Sequence, residues 1–155
     1  MKNSFLLLIF LLAGLLFESC SKTGTLQDNS SISFTANDSS VIFPVAKVFI
    51  EDVLNLKTTA VVGQYADTSN NPGNISIRVL SDTTGRFSGD SLLVSYTNSY
   101  GTVFNNINDS SSYVEIDKFP KTASGTVTGS FSIIVANAND TLKLLRGIFT
   151  ANYQN

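Results

Sequence analysis

Residues 125–135 alternate with almost no break. Val127, Phe131, Ile133 and Val135 fall on one side, and Thr126, Thr128, Ser130 and Ser132 on the other. A period of two fits a strand with one buried and one wet face, and it fits no helix. The pattern returns in short pieces. Ile32, Phe34 and Ala36 alternate with Ser33 and Thr35, and Ile75, Ile77 and Val79 with Ser76 and Arg78. Clusters such as Asn37-Asp38-Ser39-Ser40, Asn70-Asn71-Pro72-Gly73 and Asp82-Thr83-Thr84-Gly85 separate the pieces. Asn, Asp and Ser side chains bond nearby backbone groups, which ends a strand and starts a turn.

Further strands are expected at 58–65, 91–96, 102–105, 113–116, 141–145 and 147–153, the last two as a pair. Residues 41–50 are apolar on both faces and read as one strand covered on two sides, with Pro44 marking a bulge or an edge. The segment 82–85 is expected to close a hairpin on the 75–79 strand, and 51–57 is a helix candidate. About nine or ten short strands at such spacing predict one all-β domain over 32–155, an antiparallel β-sandwich or flattened barrel. The gaps leave no room for parallel crossovers.

Composition narrows the chemistry. Only 14% of residues are charged and the net charge is −2. A chain so near neutral is not built to attract nucleic acid. It has no His, so no Ser–His–Asp triad and no imidazole metal site. No Gly-rich phosphate loop occurs, since Gly85-Arg86-Phe87-Ser88-Gly89 lacks the following Lys. Carboxylates are the one catalytic class left open, yet most acidic residues sit in predicted turns, where Asp is favoured on backbone grounds alone. The expectation is therefore no enzyme, no cofactor and no metal.

The single cysteine, Cys20, follows Lys2, an apolar run over 5–17, and Glu18-Ser19. A cationic start, an apolar core of 7–15 residues and a small residue before the cut form the secretory pattern. The arrangement resembles a bacterial lipoprotein signal peptide over 1–19, with Ser19 in the small position and Cys20 as the lipidated residue. Phe17 and Glu18 depart from the usual box. The resemblance implies an anchor in the outer membrane, facing the periplasm, with lipid on Cys20 as the membrane contact. Several acyl chains, at ~0.8 kcal/mol per buried CH₂, hold such a protein without a transmembrane helix. Residues 20–31 are polar and patternless, a flexible tether to the domain.

Ser124-Gly125-Thr126-Val127-Thr128-Gly129-Ser130-Phe131, a turn with Asp140, and Arg146-Gly147-Ile148-Phe149 resemble the end of a group of small lipoproteins of unknown function. There a Gly-x-Phe-like strand pair closes the domain. Ile32-Ser33-Phe34-Thr35-Ala36-Asn37 also fits their first strand. The resemblance implies an antiparallel β-sandwich or flattened barrel and transfers no active site.

The functional expectation is a lipid-anchored envelope binding module without enzymatic activity, for a saccharide or an envelope protein. The alternatives are a small apolar-ligand carrier with a barrel cavity and a carboxylate glycoside hydrolase. Candidate ligand contacts are Tyr100, beside Gly101 in a turn, and Asn105, Asn108 and Asp109 in a polar loop. Asp82-Thr83-Thr84, Asp90-Ser91-Leu92 and Asp140-Thr141-Leu142 resemble a periplasmic O-glycosylation motif, with Thr83, Ser91 and Thr141 as acceptors.

Overall fold

The computed structural model describes residues 29–53, 55–65, 73–120 and 125–153. Among the described residues, eleven strands follow one another, with a single turn of 3-10 helix at Gly89–Ser91. They are β1 (Ser31–Ala36), β2 (Ser39–Phe43), β3 (Val45–Val53), β4 (Leu56–Gln64), β5 (Asn74–Val79) and β6 (Gly85–Phe87). Then come β7 (Leu92–Thr97), β8 (Val103–Asn106), β9 (Tyr113–Lys118), β10 (Thr126–Ala136) and β11 (Thr141–Tyr153).

The pairings form two layers joined along two sides. One layer runs β2-β1-β11-β10-β9-β6 and the other β3-β4-β5-β7-β8. β11 reaches β3 through Asn152 and Tyr153, and β10 reaches β8 through Val135 and Ala136. Seven strands therefore close a ring, and the pairs β1–β2 and β9–β6 hang from it as flaps. The all-β architecture agrees with the sandwich or flattened barrel that the strand spacing predicts. One pairing departs from expectation: β11–β3 is parallel. Only two residues pair there, at a corner where strands from different layers meet, so no crossover connection is needed.

The inner faces meet in a filled core. The Phe34 ring of β1 stands edge-on to Tyr96 of β7, at 5.5 Å, and lies 5.7 Å from Phe131. Gly63 of β4 sits under Ile32 of β1, where a Cβ would come within 2.7 Å of the Ile32 Cδ1. Burial lifts the Tyr96 hydroxyl above the usual phenol range.

Two glycines lock the longest seam. Gly129 pairs with Phe149 and Phe131 with Gly147, so the two Gly-x-Phe segments are reciprocal. Each ring lies over the facing glycine, and a Cβ at either position would run into it. An aromatic covering a cross-strand glycine restores the packing that glycine lacks.

Four local expectations change. First, residues 41–50 are two strands, and Pro44 between them carries the chain from one layer to the other. The apolar stretch looked two-sided because the inward parity resets there, from Val41 and Phe43 to Ala46 and Val48. Second, the stretch given as a helix candidate belongs to the β3–β4 hairpin, with Asn55 at φ 66 in its turn. Third, 141–153 is one strand. One residue of β1, Phe34, faces Arg146 and Gly147 of β11, one residue of β10, Ser132, faces Leu145 and Arg146, and Arg146 has φ 54. This bulge leaves Leu145 and Arg146 both exposed, which mimicked a turn. Fourth, 82–85 closes no hairpin, because β5 pairs with β7 while β6 crosses to β9. The boundary of the domain also shifts: Ser30 is buried and β1 begins at Ser31, both inside the segment read as tether.

Candidate functional site

Outward positions on β5, β7 and β8 come into line through their register. Ser76, Ser95 and Asn105 form one row, and Arg78 and Leu93 the next. Together with Asn106 they line an open groove of about 360 Å³ on the outer surface of the five-stranded layer. The groove lies where β8 leaves β7. Over Leu92–Val94, β7 keeps β5 on one side but has no strand of the described residues on the other, because β8 bends away after Asn105 to join β10.

Asn106 makes that bend tolerable. Its side-chain carbonyl accepts from the Val94 N–H at 2.7 Å, and its amide donates to the Leu92 carbonyl at 3.1 Å. One side chain thus continues the ladder that the departing backbone abandons. Across the corner, the Ile134 N–H of β10 donates to the buried Ser112 hydroxyl at 3.0 Å, and the Ile134 carbonyl accepts from the Ile107 N–H.

The lining is polar without being strongly charged. Arg78 carries the only formal charge among the residues that line the groove, and its Nε lies 3.5 Å from a Glu51 carboxylate oxygen. Leu93 is 56% exposed and gives the groove an apolar wall. The Ser76 hydroxyl oxygen is shielded from solvent and has no hydrogen-bond partner. Such a group costs about 1–3 kcal/mol until something satisfies it.

Of the residues singled out from sequence, Asn105 lines the groove. Tyr100 is 91% exposed at the tip of the β7–β8 turn. Asn98 fixes that turn by accepting from the Tyr100 and Thr102 N–H groups, and Gly101 takes φ 81. Asn108 reaches Asp90 at 3.5 Å. Asp109 folds its own loop: the Ser111 hydroxyl and N–H both donate to its carboxylate. Those bonds hold the Asp109 carboxyl below the usual range. Asn105 and Asp109 therefore serve different structures, although four positions separate them.

Thr83 and Thr141 are exposed. Ser91 is half-buried and its hydroxyl donates to the Ser88 carbonyl at 2.7 Å, a bond that a glycan on that oxygen would remove. Cys20 and the leader lie outside the described residues. Among the described residues, no helix is long and apolar enough to cross a membrane, and no three His, Cys, Asp or Glu side chains cluster as metal ligands would.

Ser76, Arg78, Leu93, Ser95 and Asn106 were not singled out from sequence. Their one signal is Leu93, a large apolar side chain at an outward position between hydroxyl-bearing neighbours. No protein-family model, curated protein or solved structure matches the chain.

Proposed function

We propose that the protein is a lipid-anchored binding module of the bacterial outer envelope, without enzymatic activity, and that the groove over β5, β7 and β8 receives a saccharide. The groove carries this reading. It sets the Ser95 hydroxyl and the Asn105 amide beside the exposed Leu93 side chain. Sugars offer the matching surface, hydroxyls around an apolar ring face. A few placed polar groups beside an apolar wall are the usual make-up of a small-ligand site. The lining bears no pair of carboxylates for acid–base work, which favours binding over glycoside hydrolysis. The aromatic contacts around Phe34 fill the space between the layers that an apolar-ligand carrier would keep open. The anchor rests on the lipoprotein-like leader and Cys20.

A glycan array probed with the full chain, followed by calorimetry on any hit, tests the site. Binding should fall at least tenfold in Asn105→Ala and in Arg78→Ala, a loss of about 1.4 kcal/mol or more. Both side chains are at least partly exposed, so folding should be unchanged. Wild-type binding unaffected by both changes would place the sugar elsewhere, and an empty array would leave the saccharide reading without support. Cys20→Ser should release the protein into the soluble periplasmic fraction, and a mutant that stays with the membrane would overturn the anchor.

A further inference from the structure

We propose that β2 is a self-pairing edge, through which two copies of this chain join antiparallel about a two-fold axis at Val41. The sheet order ends at β2 and at β6, and among the described residues no strand pairs with the outer side of β2. An open edge is a template for another strand unless something blunts it.

The direction of each backbone group follows from the β1–β2 hairpin. Ala36 faces Ser39 across a two-residue turn, with Asn37 at φ 45 and Asp38 at φ 66. In such a turn the flanking pair exchanges both hydrogen bonds, and bonded and non-bonded pairs then alternate. Ser39, Val41 and Phe43 therefore point their N–H and carbonyl groups at β1. Ser40 and Ile42 point theirs outward.

Those four outward groups complement themselves. With Val41 facing Val41 of the partner subunit, Ser40 meets Ile42 of the partner subunit, and Ile42 meets Ser40 of the partner subunit. Each pair exchanges two hydrogen bonds, and no outward group of the strand is left over. Pro44, the next outward position, has no N–H to leave unpaired. In this register it falls opposite Asp38 of the partner subunit, where the partner chain has already turned away.

Charge and shape agree with this assignment. β2 reads Ser-Ser-Val-Ile-Phe, without a charged residue, and Ile42 is 56% exposed. The edge at β6 is blunted by contrast. It has three residues, begins at Gly85 with φ 144, and carries Arg86, whose guanidinium lies over the Tyr113 ring at 3.6 Å. A second copy of this chain is the occupant because the outward pattern of β2 is its own complement. Pairing through five residues buries less than the ~1,600 Å² of a standard interface, so the association is weak and concentration-dependent.

Sedimentation equilibrium of the full chain in density-matched detergent tests the proposal. The mass should climb from one chain towards two as concentration rises. Ile42→Pro removes an outward N–H without touching the β1 ladder, so it should abolish the dimer and keep the wild-type melting temperature. Ser40→Lys with Ile42→Lys should also abolish it. Ser40→Lys with Ile42→Glu should keep it, because each cation then faces an anion of the partner subunit. A wild-type chain that stays single at every concentration would overturn the proposal, including where it captures a strand of another protein. So would a dimer indifferent to both lysine-bearing pairs.

Discussion

The two corners that close the barrel solve the same problem with different means. At each, a long strand of the six-stranded layer shares one edge between two neighbours. β11 gives residues 144–150 to β1 and Asn152 and Tyr153 to β3. β10 gives residues 128–132 to β9 and Val135 and Ala136 to β8. Where the edge forks, a backbone N–H loses its strand partner, and at both corners a buried serine hydroxyl accepts from it. Ser30 serves Ala46 at 3.2 Å, and Ser112 serves Ile134 at 3.0 Å. Both serines are buried. The β10 corner carries one device more, the Asn106 side chain on the exposed side of β7. The groove lies at that corner. A strand that bends away from its neighbour opens a recess, and holding the recess open requires side chains to replace the lost ladder.

Both corners depend on the β10–β11 seam that lies between them. Gly129→Ala should be the most damaging change, costing about 3 kcal/mol or more, because the new methyl meets the Glu115 carbonyl and the Phe149 ring. Urea unfolding checks it, through a midpoint shift that multiplied by the m-value gives that loss, and Gly147→Ala against the Phe131 ring should follow suit. Next comes the extra device. Asn106→Leu strands the Val94 N–H and the Leu92 carbonyl together, for about 2 kcal/mol or more by the cost of unsatisfied buried groups. The saccharide binding that we propose for the groove should fall with it, whereas changes at the β11 corner should leave that binding alone.

The two corner serines act more locally. Ser30→Ala and Ser112→Ala should each cost about 1–2 kcal/mol through one orphaned N–H. Hydrogen exchange should separate them: Ala46 loses protection in the first and Ile134 in the second, with the opposite corner unchanged. Exchange that quickens at both corners in either variant would show that they open as one unit.

The smallest effect is a pH dependence confined to the β10 corner. Asp109 organises the loop that delivers Ser112, and the Ser112 N–H donates to the Asp109 carbonyl. Its carboxyl is held below the usual value by the Ser111 hydroxyl and N–H. A lowered folded value means that the ionised form stabilises the fold. The contribution is complete above about pH 4, the ordinary carboxylate range, and is lost as pH falls through the lowered value. Asp109→Asn should therefore flatten the acid limb of stability slightly, read from unfolding midpoints across pH, and should leave neutral stability little changed.

Much of this fold is legible along the chain. Ile32, Phe34, Ile75, Ile77, Val127, Phe131 and Ile133 are all inward where the alternation puts them. The Asn98–Gly101 turn is where its residues predict. The two Gly-x-Phe segments are visible in sequence, and their reciprocity needs only the β10–β11 register to appear. Breaks in parity are what the sequence hid. Pro44 resets parity by changing layers and Arg146 by a bulge, and both look alike in a string of letters. The site was mostly hidden for a related reason. Ser76 and Arg78 read as the wet face of a strand, and nothing local says that Leu93 and Asn105 arrive beside them.

Wherever the alternation runs unbroken, the amino-acid order alone shows which side chains face inward, and it shows where most turns fall. It can do so because the pleat repeats every two residues and turn residues act on their own backbone. Which strands become neighbours is visible only in the folded molecule: β5 beside β7 rather than β6, β11 beside both β1 and β3, and β8 bending to β10. Pairing is settled by the free energy of the whole layered core and by where every edge N–H finds an acceptor. Ser30, Asn106 and Ser112 acquire their roles only once those distant strands have met.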